Sequence, residues 1–237
     1  MKADHIDLQA AYVLHVRPYR ETSQLLEVLT RHEGRLGLVA RGARGPRARW
    51  RAVLEPFRPL HLSWSGRGTL CTLRGAEPAA PPARFTGTRL MSAYYLNELL
   101  MAFTTRGDPH PDLFAHYTAA LTGLMEADNA EVPLRRFEIA LLAEAGYGLD
   151  TQRDAVHGAP LDSLQLYSYQ PERGAVAVND EHTGFAVSGA SLQAIAAGDF
   201  SNPEDLRAAK RVLRLLVDHH LGDRQLQTRR VLAQMRR

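Results

Sequence analysis

Five arginines and no acidic residue lie within the eleven positions from 41 to 51: Arg41, Arg44, Arg47, Arg49 and Arg51. Glycine, alanine and proline separate most of them, which is typical of a loop. Guanidinium groups carry planar sets of donors that match phosphate oxygens, and a loop can adapt them to a strand. The spacing therefore predicts a surface that binds nucleic-acid phosphates. A plain solvated loop in an arginine-rich chain is the alternative interpretation.

The charge is unevenly distributed along the chain. The whole sequence carries only +3, but residues 1–75 hold 13 basic and 6 acidic residues. Residues 76–202 hold 7 basic and 16 acidic residues, and residues 203–237 hold 9 and 4. Such polarity bears on partners rather than on fold. It supports a polyanionic partner for the amino-terminal part of the chain.

Aromatic residues near these arginines are candidates for stacking on bases. Trp50 lies inside the loop, and Tyr19 lies in an earlier turn. Each is either a stacking platform or an ordinary core residue. Arg35, on the strand before the loop, completes the predicted DNA-binding set. Five phosphate contacts to a single strand predict a log–log salt slope of about −3 to −4.

The sequence offers little that could carry catalysis. It has no phosphate-binding Gly-x-x-x-x-Gly-Lys-Ser/Thr run, no Cys-x-x-Cys pair and no Gly-x-Ser-x-Gly. The single cysteine, Cys71, lies in an apolar strand pattern and is predicted to fill the core. We therefore expect a protein that is not an enzyme and has no metal or other cofactor, and we rank a hydrolase third among the function classes.

A second candidate site lies at residues 134–138, where Arg135 and Arg136 begin an apolar helix within the acidic middle region. One interpretation is an ion pair of an arginine with Glu131 or Glu138. The other is a cationic group beside an apolar groove, which would bind a peptide with an acidic, aromatic carboxyl terminus.

The elements around these sites change character near residue 78. Short alternating apolar runs before it predict five strands, at 11–16, 24–30, 35–40, 57–64 and 69–74. Five strands in so short a segment predict a small closed barrel. Prolines at 78, 81 and 82 then mark a linker. We therefore expect a barrel domain over 1–77, a linker over 78–84 and a second domain over 85–237.

The second domain is predicted to be mainly helical. Apolar spacing predicts helices at 85–105, 111–127 and from about 133 to 145. Residues 150–187 lose this period and contain two short strand patterns joined by a turn. Ser188 is a candidate cap for a short helix, and Asn202 opens a long helix that ends near residue 221. A basic tail follows. The fold class is thus α+β and multidomain, with a small β-hairpin insertion.

The expected location is the cytoplasm, in association with the nucleoid. No stretch approaches the length of a membrane span, and the first residues lack the apolar run of a signal peptide. We expect a monomer with no membrane partner.

Several short segments also carry a family pattern. They include Gly-Arg-Leu-Gly-Leu-Val-Ala-Arg-Gly-Ala-Arg at 34–44 and Leu-Arg-Arg-Phe-Glu at 134–138. The others lie at 13–23, 54–57, 95–100, 146–148, 206–211 and 220–222. In this order and spacing the chain resembles the RecO family of bacterial recombination mediators, in its proteobacterial branch. Many relatives carry a four-cysteine zinc module in the 150–190 region, which this chain lacks.

The resemblance implies an amino-terminal OB-fold that binds single- and double-stranded DNA. It further implies annealing of complementary strands coated by single-strand-binding protein (SSB), association with RecR and help in loading RecA. For the helix at 134–138 it implies a pocket for the SSB carboxyl-terminal tail, with Arg135 and Arg136 as cations and Ile139 and Leu142 as apolar wall. The alternative is a non-enzymatic OB-fold module that binds RNA.

Overall fold

A computed structural model describes residues 5–44, 48, 50, 52–179 and 184–235. Contacts divide the chain into two compact units. Unit 1 comprises Met1–Glu126 together with Leu226–Arg237, and unit 2 comprises Ala127–Gln225. Each unit is described by itself below.

Unit 1 is built on a closed five-stranded barrel. Its strands are β1 (His5–Tyr19), β2 (Ser23–Thr30), β3 (Gly34–Ala40), β4 (Leu60–Ser65) and β5 (Leu70–Pro78). Around the barrel the order is β1-β2-β3-β5-β4, and β4 pairs with β1 to close it. The β3–β5 pair is parallel and the other pairs are antiparallel. The predicted OB-like barrel is confirmed.

Alternating apolar residues on these strands fill the barrel, as their period of two requires. Val13, Leu26, Leu38 and Leu62 are all fully buried. Register shifts interrupt β1 between Ile6 and Gln9 and again between Val13 and His15. Such bulges bend a long strand, so that β1 can pair with β2 along one part and with β4 along another.

The described part of unit 1 also contains three helices: α1 (Gly87–Phe103), α2 (Pro111–Glu126) and the carboxyl-terminal helix. The buried Asn97 joins α1 to the barrel and to α2. Its amide donates to the Leu14 carbonyl at 2.8 Å and its oxygen accepts from the Tyr117 hydroxyl at 2.6 Å. Burial raises the pKa of Tyr117 well above its usual value, which keeps this hydroxyl a donor.

Unit 2 combines helices with a small sheet. In chain order its elements are α3 (Glu131–Glu144), β6 (Leu166–Gln170), β7 (Gly174–Ala177), β8 (Val187–Ser188), α4 (Gly189–Ala197) and α5 (Pro203–Leu221). The sheet order is β7-β6-β8. The predicted caps are confirmed, because Ser188 accepts from the Ser191 amide and Asn202 accepts from the Glu204 amide.

Two features differ from the sequence prediction. The chain continues past α5 into α6 (Gln227–Met235), where the sequence predicts only a basic tail. Helix α6 begins at the Glu98 carboxylate, which accepts from the amides of Gln227 and Thr228 at 3.0 Å. The proline linker lies inside unit 1 rather than between the two units, since α1 and α2 belong with the barrel.

Candidate nucleic-acid interface

Three strand ends meet at one edge of the barrel and bring four arginines together. Strand β1 ends at Tyr19 opposite Ser23, where β2 begins, and Gln24 pairs with Ala40 at the end of β3. Arg17 lies in β1 two residues before its end, Arg20 follows β1, and Arg41 and Arg44 follow β3. We call these four residues, Arg17, Arg20, Arg41 and Arg44, the cationic edge.

The start of the arginine loop is fixed against the β1–β2 turn. The Arg44 amide donates to the Thr22 carbonyl, and Nη1 of Arg44 donates to the Arg20 carbonyl, both at 3.0 Å. Ala43, which directly precedes Arg44, is buried in the barrel core. These contacts hold the first part of the loop beside the turn.

Charge on the cationic edge is exposed and largely uncompensated. All four arginines are exposed, and none forms an ion pair with a described residue. The acidic residue Glu21 directly follows Arg20 in the β1–β2 turn. It is exposed as well and makes no ion pair within the described ranges. The edge therefore carries net positive charge that is free to meet an anion.

The two predicted aromatic residues, Tyr19 and Trp50, have different environments in the structure. Tyr19 is half-buried at the cationic edge, and the Arg20 guanidinium lies 5.2 Å from its ring centroid. Trp50 is only 7% exposed and belongs to the barrel core. A buried indole cannot receive a base without opening the core, so Trp50 has a packing role, and of the two predicted aromatic residues Tyr19 is the one that is placed for stacking.

Arg35 is used inside the protein. Its Nη1 lies 2.9 Å from the Glu27 carboxylate, and its other nitrogens donate to the Thr104 hydroxyl and carbonyl. Arg106 contacts the same carboxylate. Because these partners occupy a side chain that is only 13% exposed, we do not include Arg35 in the candidate interface. Arg47, Arg49 and Arg51 lie outside the described residues.

The candidate pocket on α3 begins with a charge network. The Arg135 side chain is only 7% exposed, and its Nη1 lies 2.8 Å from Glu138. Glu131 lies 3.9 Å from the same guanidinium and 2.7 Å from Lys210 Nζ. Of the two interpretations of the sequence, Arg135 thus fits the ion pair, and both predicted acids, Glu131 and Glu138, contact its guanidinium.

Arg136 has a different environment on the next position of α3. It is exposed, and its Nε donates to the Gly198 carbonyl at 3.0 Å. Of the two predicted apolar residues, Ile139 is half-buried and Leu142 is fully buried. Solvent therefore reaches one cation and part of one aliphatic side chain of the predicted set.

Within the described ranges, no group of three or more His, Cys, Asp or Glu side chains is placed to hold a metal ion. Cys71 is buried, as predicted, and burial raises the pKa of its thiol, which disfavours the nucleophilic thiolate. No described helix is both long and apolar enough to span a bilayer.

Sequence reasoning missed Arg17 and Arg20. Arg17 lies in β1 two residues before Tyr19, and Arg20 follows Tyr19 directly, so the signal lay beside the tyrosine that the sequence analysis singled out. Their importance depends on the antiparallel β2–β3 register, which pairs Gln24 with Ala40 and so brings the β1–β2 turn beside the arginine loop; Arg44, which contacts Arg20, lies 24 residues later in the chain.

Comparison with known proteins finds two matching family models and several similar proteins, all with related descriptions. A model described as "Recombination protein O N terminal" matches residues 6–82, and one described as "Recombination protein O C terminal" matches residues 84–230. A "DNA repair protein RecO" of Nitrosococcus oceani is 48% identical over 97% of this chain and 94% of the relative. The proteins of the same name from Aromatoleum aromaticum and Haemophilus influenzae are 46% and 44% identical, each over 96% of its own length and over 97% and 96% of this chain.

Proposed function

The chain belongs to the RecO family of DNA repair and recombination proteins, and from this premise we propose that it is a DNA-binding recombination mediator. In this role it binds single- and double-stranded DNA, anneals complementary strands coated by SSB, and assists RecA loading together with RecR. The confirmed resemblance to the family supports the role in repair. The DNA-binding activity has support of its own in the structure.

The observation that carries the proposal is the cationic edge. Four exposed arginines converge there without an ion pair to any described acid. In the sequence, unit 1 holds 20 basic and 11 acidic residues, whereas unit 2 holds 9 and 15. The net charge is therefore +9 on unit 1 and −6 on unit 2, which directs a polyanion to unit 1.

The mechanism that follows is electrostatic. Guanidinium groups on the edge neutralise phosphates and release their counterions, which favours binding to any sequence. The same neutralisation lowers the repulsion between two strands that approach each other, and complementary bases can then pair. The protein makes and breaks no covalent bond in this process.

Replacing Arg20 and Arg41 by alanine tests the DNA-binding surface. The log–log salt slope for single-stranded DNA should flatten by about 1.4, at about 0.7 for each lost phosphate contact. Arg31→Ala is a matched control, because Arg31 is also exposed but follows β2 at the opposite end of the barrel. Equal effects of the control and the double variant would contradict the proposed surface.

Annealing of SSB-coated complementary oligonucleotides distinguishes the mediator from an RNA-binding module. The protein should accelerate annealing, and the Arg20→Ala/Arg41→Ala variant should lose most of this acceleration. RecA assembly on SSB-coated single strands, with RecR present, tests the loading role. Tight RNA binding without annealing of coated DNA would support the alternative instead.

For the SSB tail we propose the surface of α3 around Arg136 and Ile139. Arg136 supports this, because it is an exposed cation in a unit of net negative charge. Arg135 contributes only if its pair with Glu138 opens. Arg136→Ala should therefore weaken binding of a fluorescent tail peptide and leave DNA affinity unchanged. Loss of both activities in a folded variant would contradict this assignment.

A further inference from the structure

Unit 1 contains an open cavity of about 350 Å³ that the proposed function does not use. Residues 55–57, which follow the arginine loop, form one part of its lining, and residues 82–86, 90 and 94 form the rest. Its aromatic residues are Phe57, Phe85 and Tyr94. The volume is at the lower end of the range for small-ligand sites, about 300–1,000 Å³.

The rings in this cavity have unoccupied surface. Phe57 is buried and contacts Phe85 and Tyr94 with interplanar angles of 83° and 70°. No described ring stacks in parallel on Phe85 or Tyr94. Tyr94 is 37% exposed, although it is a large aromatic residue on a packed helix. A flat ligand can therefore stack on these side chains without displacing a protein ring.

The polar residues of the cavity favour an anionic group beside the rings. Glu55 is paired with Arg58 at 3.1 Å, so its charge is compensated within the protein. Arg84 also lines the cavity, is exposed and has no partner among the described residues. One uncompensated cation next to aromatic rings is complementary to a flat apolar group that carries a negative charge.

The backbone that lines the cavity is strained at Phe57, the residue whose ring contacts both other aromatic rings. Phe57 has φ of +65°, a region that side chains larger than glycine rarely adopt and that costs about 1–2 kcal/mol. Strain of this kind persists where the surrounding structure fixes it, and it is frequent at ligand sites. Here it holds the Phe57 ring against both other aromatic rings.

We propose that this cavity accepts a base of single-stranded DNA, which stacks on Tyr94, with Phe85 as a second wall of the cavity, while a neighbouring phosphate binds Arg84. This inference rests on the proposed function and gives unit 1, which also carries the cationic edge, a subsite that binds a base. Aromatic stacking is common in proteins that bind single strands without sequence preference. In a duplex the bases are stacked inside, so the subsite discriminates single from double strands.

Tyr94→Ala tests the subsite, with Tyr94→Phe as the control that keeps the ring. Salt-dependent affinities are measured for a thymidine oligonucleotide, for an abasic oligonucleotide of the same length and for a duplex. Tyr94→Ala should weaken binding of the thymidine strand by about tenfold. Its affinity for the abasic strand and the duplex, and its salt slope, should be those of the wild type. Tyr94→Phe should bind as the wild type does.

Crosslinking provides a second readout. A strand that contains photoreactive 5-iododeoxyuridine should crosslink to Tyr94 or Phe85 in the wild-type protein. Unchanged affinity of Tyr94→Ala, an equal loss for thymidine and abasic strands, or crosslinks confined to other residues would overturn the subsite. If the cavity binds a peptide instead of a base, Tyr94→Ala should leave the affinity for DNA unchanged.

Failure of the subsite and failure of the proposed function give different results. If Arg20→Ala/Arg41→Ala loses single-strand binding while Tyr94→Ala does not, the cavity is not a base site and the DNA-binding role remains. If neither variant changes binding, the cationic edge is contradicted as well.

Discussion

Asp154 shows how much one carboxylate can organise in the irregular part of unit 2. Its oxygens accept hydrogen bonds from the amides of His157, Val156 and Ala177, at 2.7, 2.8 and 3.2 Å. These bonds, led by that from His157, lower the pKa of Asp154 below its usual value. The carboxylate thereby joins a local turn to the end of β7.

The pH dependence of this contact has a definite sign. Because the folded pKa lies below the ordinary value of 3.8, ionised Asp154 stabilises the fold at neutral pH. The stabilisation is lost as the pH falls below that value and through the folded pKa. Asp154→Asn should therefore lower the melting temperature at neutral pH. The further fall in melting temperature between neutral and acidic pH should be smaller in this variant than in the wild type.

Thermal unfolding at neutral and acidic pH measures this effect, and amide chemical shifts of Val156 and His157 report it locally. Asp223→Asn is the control, because Asp223 is exposed and makes no ion pair within the described part of the chain. Acid sensitivity that is the same in Asp154→Asn and the wild type would contradict the assignment.

The sequence could not predict this arrangement. It indicated two short strands over 150–187, and the structure contains both, as β6 and β7. The bond from Ala177 to Asp154 spans 23 positions, and hydroxyl groups of Tyr167 and Tyr169 accept from the amides of Asp162 and Asp150. Neither period nor propensity encodes such long-range side-chain bonds.

At the scale of elements, the β2–β3 hairpin packs closely on the loop between α1 and α2. Gly34 has φ of +67°, and a Cβ added there would lie 2.0 Å from the Asp108 carbonyl oxygen. The adjacent Arg35 carbonyl accepts from the Gly107 amide at 2.8 Å. The two strands of the hairpin were predicted, at 24–30 and 35–40, but the contact with a distant loop was not.

Gly34→Ala should lower the free energy of unfolding by at least about 3 kcal/mol, because the loop must move away from the new methyl group. Gly42→Ala is a matched control: its φ is +62°, but no atom of the described residues lies within 4 Å of the position that its new methyl group would take. It should lose only the backbone preference, about 1 kcal/mol. Urea denaturation followed by tryptophan fluorescence measures both, and equal losses would contradict the role of close packing.

Strands and helices with strong periods were predictable, and their ends were less so. The barrel strands were expected close to where they lie, but β1 extends from His5 to Tyr19 because bulges let it pair twice. Helix α6 was missed because its nine residues are mostly polar and charged. Its helical form depends on Glu98 and on packing against α1, which a local pattern does not contain.

At the scale of the whole molecule, the sequence of unit 2 interrupts that of unit 1. The chain leaves unit 1 after Glu126 and returns at Leu226. Leu226 and Thr228 are buried, and the Thr228 hydroxyl joins its amide in donating to Glu98. The returning segment is therefore part of the structure of unit 1.

Removing residues 226–237 should destabilise unit 1 by about 2–4 kcal/mol, from lost apolar burial and hydrogen bonds. Trp50 and Trp64 are the two tryptophans of the chain and both lie in the barrel core, so their fluorescence in a urea titration reports unit 1. Glu98→Gln keeps Leu226 and should lose only about 1 kcal/mol. An unchanged midpoint in the truncated protein would contradict the structural role of α6.

The return of α6 to α1 also sets an order of events on the ribosome. The barrel, α1 and α2 emerge first, but α6 follows only after all of unit 2 has been translated. At about 5–20 residues per second, the nascent chain exposes the bare face of α1 for several seconds. During that interval a chaperone could occupy the place that the carboxyl-terminal helix later takes.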